Sequence, residues 1–317
     1  MKRRIQKLIL PLLVAAVLMS FGILPGNMIR AASADVWDGS SIAAFTAGTG
    51  VYDNPYEIAT GAQLAYLAQQ VNASVSGYDT AYYVLTDDID LNNIEWTPVG
   101  SDPTYFEGNF DGGGHTVSRL SITSSTKTRG GLFGNVAGAT IKNLGIEDVA
   151  INISTSSARI GGLAGQFVAS GSTASTVFNC YTTGSVVGPA ATYAGGLTGY
   201  ANGDPSDATE FINCFSTANI VSGSASARVG GLVAEAGNTV IMNCYAAGNV
   251  SSANSTRTGG ILGRNVSATL TYAYWNSDAS QTISTGAQTP KKALEKALTT
   301  PLQKPRQKCC LPPLQRC

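Results

Sequence analysis

Apolar positions in this chain recur at fixed offsets rather than in long stripes. Between Arg129 and Trp275 one phrase returns five times, ending at Gly134, Gly165, Gly199, Ala234 and Gly263. Each copy carries a Gly-Gly pair followed by an apolar residue: Leu132, Leu163, Leu197, Leu232 or Ile261. A second phrase alternates with it, as Asn179-Cys180-Tyr181, Asn213-Cys214-Phe215 and Asn243-Cys244-Tyr245, with a degenerate Asn143-Leu144-Gly145 ahead of them. A period of roughly 30–35 residues marks a solenoid, in which a unit buries its apolar face only against a stacked neighbour. The short apolar runs between glycines predict strands rather than helices.

Within a repeat, the Gly-Gly-Leu phrase reads as a short strand between tight bends, its Leu or Ile directed inward. Its glycines are expected to supply unusual backbone angles and to let neighbouring coils approach closely. Around the asparagine, apolar residues sit two positions before (Ile141, Val177, Phe211, Ile241) and one after (Leu144, Cys180, Cys214, Cys244). A separation of three breaks the period of two that a strand requires. Asn143, Asn179, Asn213 and Asn243 therefore mark corners, where their side chains can bond backbone groups and stack from coil to coil. Cys180, Cys214 and Cys244 share one slot, and three cannot all pair. A buried column of thiols is expected, with a single bridge between adjacent rungs as the alternative.

Upstream, Thr60-Gly61-Ala62-Gln63 has capping-box spacing, and Leu64, Leu67, Ala68 and Val71 follow at i, i+3, i+4 and i+7. This predicts one amphipathic helix, suited to close the open end of the stack; a partner-binding helix is the other reading. Tyr82–Leu85, Ile89–Leu91, Tyr105–Val117 and Leu120–Ile122 read as the first, irregular coils. The N-terminus has a basic start at Lys2, Arg3 and Arg4, an apolar run to Leu24, and Ala32-Ser33-Ala34 as a cleavage site. That pattern predicts export. The expected organisation is a signal peptide over 1–34, a cap with irregular coils over 35–125, repeats over 126–278, and a basic tail with Cys and Pro over 279–317. The tail has neither the composition nor the period of the body, and a shifted reading frame is one account of it.

Composition narrows the classes. The formal net charge is +0 and only 13% of residues are charged, so the clustered Lys and Arg of a nucleic-acid footprint are missing. The 44% of hydrophobic residues is enough for a core and excludes a disordered polar tract. After signal cleavage no stretch is long enough for a transmembrane helix.

Gly-Gly-Leu-x-Gly alternating with Asn-Cys-Tyr resembles the GLUG repeat family of bacterial exported proteins. The upstream Leu85–Leu91, Trp96–Gly100 and Phe106–Val117 are similar to the segment that usually precedes such repeats. The resemblance implies an all-β, right-handed parallel β-helix and placement in large surface proteins. These include adhesin-like chains and the non-catalytic part of some immunoglobulin-cleaving metallopeptidases. It implies no catalytic residues.

Candidate chemistry is sparse. His115 beside Asp111 could mark a carbohydrate-active β-helix, but the phrase Asp111-Gly-Gly-Gly-His115 is a tight turn more simply than an acid pair. Asp87, Asp88 and Asp90 offer oxygens for a structural calcium without the spacing of a calcium loop; no cofactor is otherwise expected. Arg159, Arg228 and Arg257 each stand two residues before a Gly-Gly pair, and Arg129 stands one before. Stacked, they form a basic column able to attract acidic glycans, or else a splayed, solvated edge with local acidic partners. Tyr181, Phe215 and Tyr245 form an aromatic column, placed outward or at a corner, that could serve as a platform for sugar rings or a protein. The expected function is a secreted or cell-surface, non-catalytic adhesion or interaction module contacting a glycan or surface protein. A polysaccharide lyase or hydrolase, or a structural spacer, are the alternatives.

Overall fold

The structure, a computed structural model, describes residues 35–190, 193–253 and 256–276. The expected signal peptide and the tail with Cys309, Cys310 and Cys317 lie outside the described residues. What remains is a parallel β-solenoid with one helix, α1 (Gly61–Asn72). In each full coil the chain passes through four faces. Face 1 stacks Arg129–Gly130, Arg159–Ile160, Tyr193–Gly195, Arg228–Gly230 and Thr258–Gly259. Face 2 stacks Phe133–Ala137, Ala164–Val168, Thr198–Asn202, Val233–Gly237 and Leu262–Asn265.

Face 3 begins earlier, at Tyr56–Ile58, and climbs through eight strands to Ala268–Thr271. Face 4 follows each asparagine and holds Gly145–Ile153, Tyr181–Val187, Phe215–Ser216 and Tyr245–Ala246, among others. Neighbouring strands in all four faces are parallel and in register, with a bulge between Ile146 and Val149. In the irregular coils, Val99 and Phe106 pair with Phe133 and Val136 and so start face 2.

Side chains alternate in and out of this wall, and the inward ones fuse into a single core. Leu132, Leu163, Leu197 and Leu232 are fully buried and Ile261 is 2% exposed. Ile141, Val177, Phe211 and Ile241 fill the shaft from face 3, and Val186, Ile220 and Val250 from face 4.

The Gly-Gly-Leu phrase differs from its reading as a strand. Face 1 ends at its first residues and face 2 begins after the leucine, so the phrase is the bend between them. Unusual angles are not the general reason for its glycines: Gly131 has φ of 157°, but Gly161, Gly162, Gly195, Gly196, Gly230 and Gly231 all lack a positive φ. Close approach is the reason for glycine. A Cβ on Gly196 would lie 2.3 Å from the Gly231 carbonyl oxygen, and one on Gly231 2.0 Å from that of Gly260.

The left-handed angles belong instead to the asparagines. Asn143, Asn179, Asn213 and Asn243 have φ of 54°, 53°, 55° and 53°, a conformation Asn tolerates better than other L residues. Each turns the chain from face 3 to face 4, and each Nδ2 donates to the Oδ1 one rung earlier, at 3.2 Å, 3.2 Å and 3.3 Å for Asn179, Asn213 and Asn243. Asn143 donates to Asp111 Oδ1 at 3.0 Å, where the ladder stops. Asn213→Ala forfeits two ladder bonds and places alanine in a left-handed conformation, an expected cost of about 2–3 kcal/mol. Asn213→Gly keeps the conformation and should cost about 1 kcal/mol less. Urea denaturation of the three proteins measures the difference; equal losses would refute the backbone part.

Helix α1 starts as its sequence predicts, with Thr60 Oγ1 accepting from the Gln63 N–H at 3.2 Å. The Gln63 side chain reaches one residue further back than a capping box, accepting from Ala59 N–H at 2.8 Å. Leu64, Leu67, Ala68 and Val71 are buried with Trp37 and Trp96 in the common core. At its C-terminus Asn72 fixes the first coils: Nδ2 donates to the Pro98 carbonyl at 2.9 Å, and Oδ1 accepts from Gly100 and Ser101 N–H at 2.9 Å and 2.8 Å.

Cys180, Cys214 and Cys244 are free thiols, each 1% exposed. Burial pushes the Cys180 thiol up to about 12 and raises that of Cys214 well above its ordinary value. Thiolate is the reactive form, so in a Cys309/Cys310/Cys317→Ser background native protein should consume almost no aromatic disulfide reagent at pH 8. Three equivalents should react in guanidinium. Fast reaction of the native protein would show that the column is open.

Candidate functional site

Two outward columns stand out, one on faces 1 and 2 and the other on face 4. On face 1, register places Arg129, Arg159, Tyr193 and Arg228 in one slot on successive rungs. The register continues this slot to Arg257 on the following rung, half-buried. The arginines are therefore not one uninterrupted basic column; Arg129 and Arg228 have the local acidic partners of the alternative reading, Asp102 and Glu235, without being splayed into solvent. Tyr193 replaces the cation on the middle rung, and its ring receives the Arg159 and Arg228 guanidinium groups at 5.3 Å and 4.5 Å. The charges of Arg159 and Arg228 are separated by an aromatic ring that attracts both, whereas Arg129 and Arg159 stand on adjacent rungs.

Face 2 supplies the polar partners from a position three residues after the inward leucine. This column is Asn135, Gln166, Tyr200, Glu235 and Arg264. Asn135, Gln166 and Glu235 are 0%, 2% and 6% exposed, so each must be hydrogen-bonded or paired. Arg129 Nε donates to Asn135 Oδ1 at 2.8 Å, Arg159 donates to Gln166 Oε1, and Glu235 pairs with Arg228 and with Arg264 at 2.9 Å. Arg159 also lies over Tyr200, 4.2 Å from its ring centroid.

Where this column meets the irregular coils, it opens into a depression of ≈ 490 Å³ lined by Asp102, Thr128, Arg129, Ser157, Arg159 and Tyr193. Asp102 accepts from Thr128 Oγ1 at 2.7 Å and Asn135 Nδ2 at 2.9 Å, with Arg129 Nη2 at 3.6 Å. Burial opposes its ionisation, but those hydrogen bonds and the charges of Arg129 and Arg159 outweigh it and hold the carboxyl below its ordinary value. Arg129 is lowered, chiefly by burial.

On face 4, Tyr181, Phe215 and Tyr245 stack with ring centroids 4.7 Å apart and planes 2° from parallel. They are half-buried. The Tyr181 hydroxyl donates to Glu147 Oε1 at 2.5 Å, and its ring fills the space over Gly145, where a Cβ would lie 2.5 Å from it. The spacing is that of the rungs themselves, so each ring covers its neighbour and both faces of Phe215 are occupied. At Phe215 only the ring edge is left to solvent. The column lies on a different face from the arginines.

Asp111, Asp88 and Asp90 are held in structural contacts, while Asp87 is exposed. Asp111 accepts from Asn143, from Gly113 N–H at 2.9 Å, and pairs with Lys142 at 3.2 Å. Gly113 and Gly114, with φ of 61° and 85°, make the turn to His115, whose Nδ1 lies 3.4 Å from Asp88. Asp88 accepts from Thr116 N–H at 2.8 Å, and Asp90 holds the Arg119 guanidinium with two contacts. Burial again opposes ionisation of Asp90, yet Arg119 and the Asn92 N–H keep it below its ordinary value. Asp88 and Asp90 thus each serve a neighbouring rung.

Fold and surface together define a parallel β-solenoid whose outward side chains repeat in columns. One repeat of it, residues 225–251, from beside Arg228 through Asn243-Cys244-Tyr245, matches the family model of the GLUG motif. Over 163 residues, 48% of its length, the chain is 32% identical to halomucin of Haloquadratum walsbyi, of which the stretch is 2%. It is 29% identical over 128 residues to a provisionally named Gly-rich membrane protein of Evansella cellulosilytica, covering 38% of this chain and 14% of that protein. The chain thus spans a small fraction of the curated relatives it matches. Among solved structures, a candidate immunoglobulin A1 protease from Bacteroides ovatus has the same fold. That match has a TM-score of 0.57 and 24% identity, and covers 73% of this chain and 70% of that one.

Proposed function

We propose that this chain is a non-catalytic, extracellular module of a cell-surface protein, which makes contact with a glycan or another surface protein through its side-chain columns. The observation that carries the reading is the arginine–tyrosine column on faces 1 and 2. It is held on stacked strands and opens into the depression between Asp102 and Tyr193. The kinship with halomucin and a Gly-rich membrane protein supports placement at the cell surface. The structural contacts of Asp111 and Asp90 support a role without turnover, because a general acid or nucleophile must be turned toward substrate.

The test is to pass the protein over arrays of acidic and neutral glycans and surface proteins, and to incubate it with the corresponding polysaccharides. Retention with no new reducing ends or unsaturated products is expected. Turnover that disappears in Asp111→Asn, a change that keeps an acceptor for Asn143, would overturn the reading in favour of an enzyme. Absence of all binding would make the chain a spacer.

A further inference from the structure

Resting on the binding-module reading, we infer that the depression on faces 1 and 2 is a subsite for a carboxylated sugar, a uronic or nonulosonic acid residue of an acidic glycan. Three features of its walls lead there.

The first is the count of charges. Arg129 stands beside Asp102 at 3.6 Å, and these two offset one another. Arg159 has no carboxylate within ion-pair distance among the described residues. Its contact with Gln166 is to a neutral amide, the rings of Tyr193 and Tyr200 lie against it, and Arg129 stands on the preceding rung. The local excess is therefore one positive charge. A guanidinium presents a planar fork that matches a single carboxylate, and a monoanion completes the balance where a dianion would exceed it.

The second is the company of that charge. Asp102, 47% exposed at the side chain, keeps acceptor capacity at the mouth of the depression beyond what Thr128, Asn135 and Arg129 use. A ligand group approaching Arg159 must bring hydroxyl donors for Asp102 and cannot carry a second negative charge toward it. Sugar acids have this combination, a carboxylate flanked by hydroxyls. A run of acidic side chains in a peptide brings the charge without flanking hydroxyls, and Asp102 repels its neighbouring carboxylates.

The third is preorganisation. Arg159 sits on a face 1 strand, its guanidinium fixed by Gln166 and two aromatic rings, so little rotamer entropy remains to be lost on binding. The volume falls within the roughly 300–1,000 Å³ of small-ligand clefts.

Isothermal titration of the whole chain tests this with oligogalacturonate, its methyl ester, sialyllactose, neutral galacto-oligosaccharide and poly-L-glutamate. Oligogalacturonate or sialyllactose should bind, and whichever binds identifies the acid. The methyl ester and the neutral sugar should be weaker by about ten- to a hundredfold, as should the acid ligand with Arg159→Gln, the range for a lost charge-assisted contact. The ester control keeps the test decisive even where the variant folds poorly. Equal binding of acid and ester, or of poly-L-glutamate and oligogalacturonate, overturns the assignment. Retention of a neutral glycan or a surface protein, with neither acid bound, overturns this subsite but leaves the binding-module reading standing. Failure of every ligand and every array sinks both.

Discussion

Gly231→Ala should prevent the stack from closing. The added methyl would lie 2.0 Å from the Gly260 carbonyl oxygen and 2.8 Å from Ala246 Cβ. The first of these atoms is backbone, so relief requires moving a rung, which also strains the bond from Gly231 N–H to Gly259 O at 3.1 Å. Overpacking of this kind costs about 3 kcal/mol or more, a large share of the roughly 5–15 kcal/mol of a typical domain. Gly130→Ala is the control. Its methyl would meet the Cδ1 end of Ile153 at 2.6 Å, a flexible group, and the same slot one rung later is filled by Ile160. Circular dichroism and urea midpoints should show Gly130→Ala near wild type and Gly231→Ala unfolded or strongly destabilised. Similar midpoints would mean that close carbonyl approach does not select glycine at this bend.

Phe211→Ala should cost about 3–5 kcal/mol, the range for removing a buried aromatic side chain and leaving a cavity. Phe211 is fully buried and meets Phe167 edge to face, with centroids 5.4 Å apart and planes at 89°. It stands where face 3 crosses the shaft, between Val177 and Ile241 on adjacent rungs. In a stack of rungs stability is carried mainly by nearest neighbours. Hydrogen exchange should therefore accelerate first around Val177, Phe211 and Ile241, and last around Ile58 at the far end of the face. Uniform acceleration would indicate that the solenoid unfolds as one cooperative unit. Phe211→Leu, which refills most of the space, should recover most of the loss.

Much of this architecture is legible in the sequence, because local chemistry and stacking ask for the same residues. The offset of three across each asparagine can only be a corner, and the structure has left-handed Asn143, Asn179, Asn213 and Asn243 there. Thr60 and Gln63 announce α1 for an equally local reason. The Gly-Gly-Leu phrase misleads because glycine serves two purposes, unusual angles and close approach, and a sequence does not say which.

The arginine column was only half legible. Arg129, Arg159 and Arg228 are visible as letters, but Tyr193 enters their slot only through register, which no single repeat encodes. The column Asn135, Gln166, Tyr200, Glu235 and Arg264 shares no residue type at all. Its signal was positional, three residues beyond each inward Leu or Ile, where a polar residue in a buried strand needs a partner. Asp102 could not be foreseen, since it comes from the irregular coils and meets Arg129 only once they stack.

The asparagine amides all point the same way, each toward the rung before it, and the run is anchored on Asp111. Such a chain has a fixed beginning and an extensible end. Asn243 uses its amide to reach back and leaves its carbonyl facing the slot of Tyr272, the residue that holds the corner conformation in place of asparagine. A duplicated repeat spliced in at that point would find a ready acceptor and offer one in turn, taking over the strand pairings that the rung of Tyr272 now makes. Lengthening there would thus leave the contacts among the earlier rungs as they are, and the cross-section of the stack would stay constant.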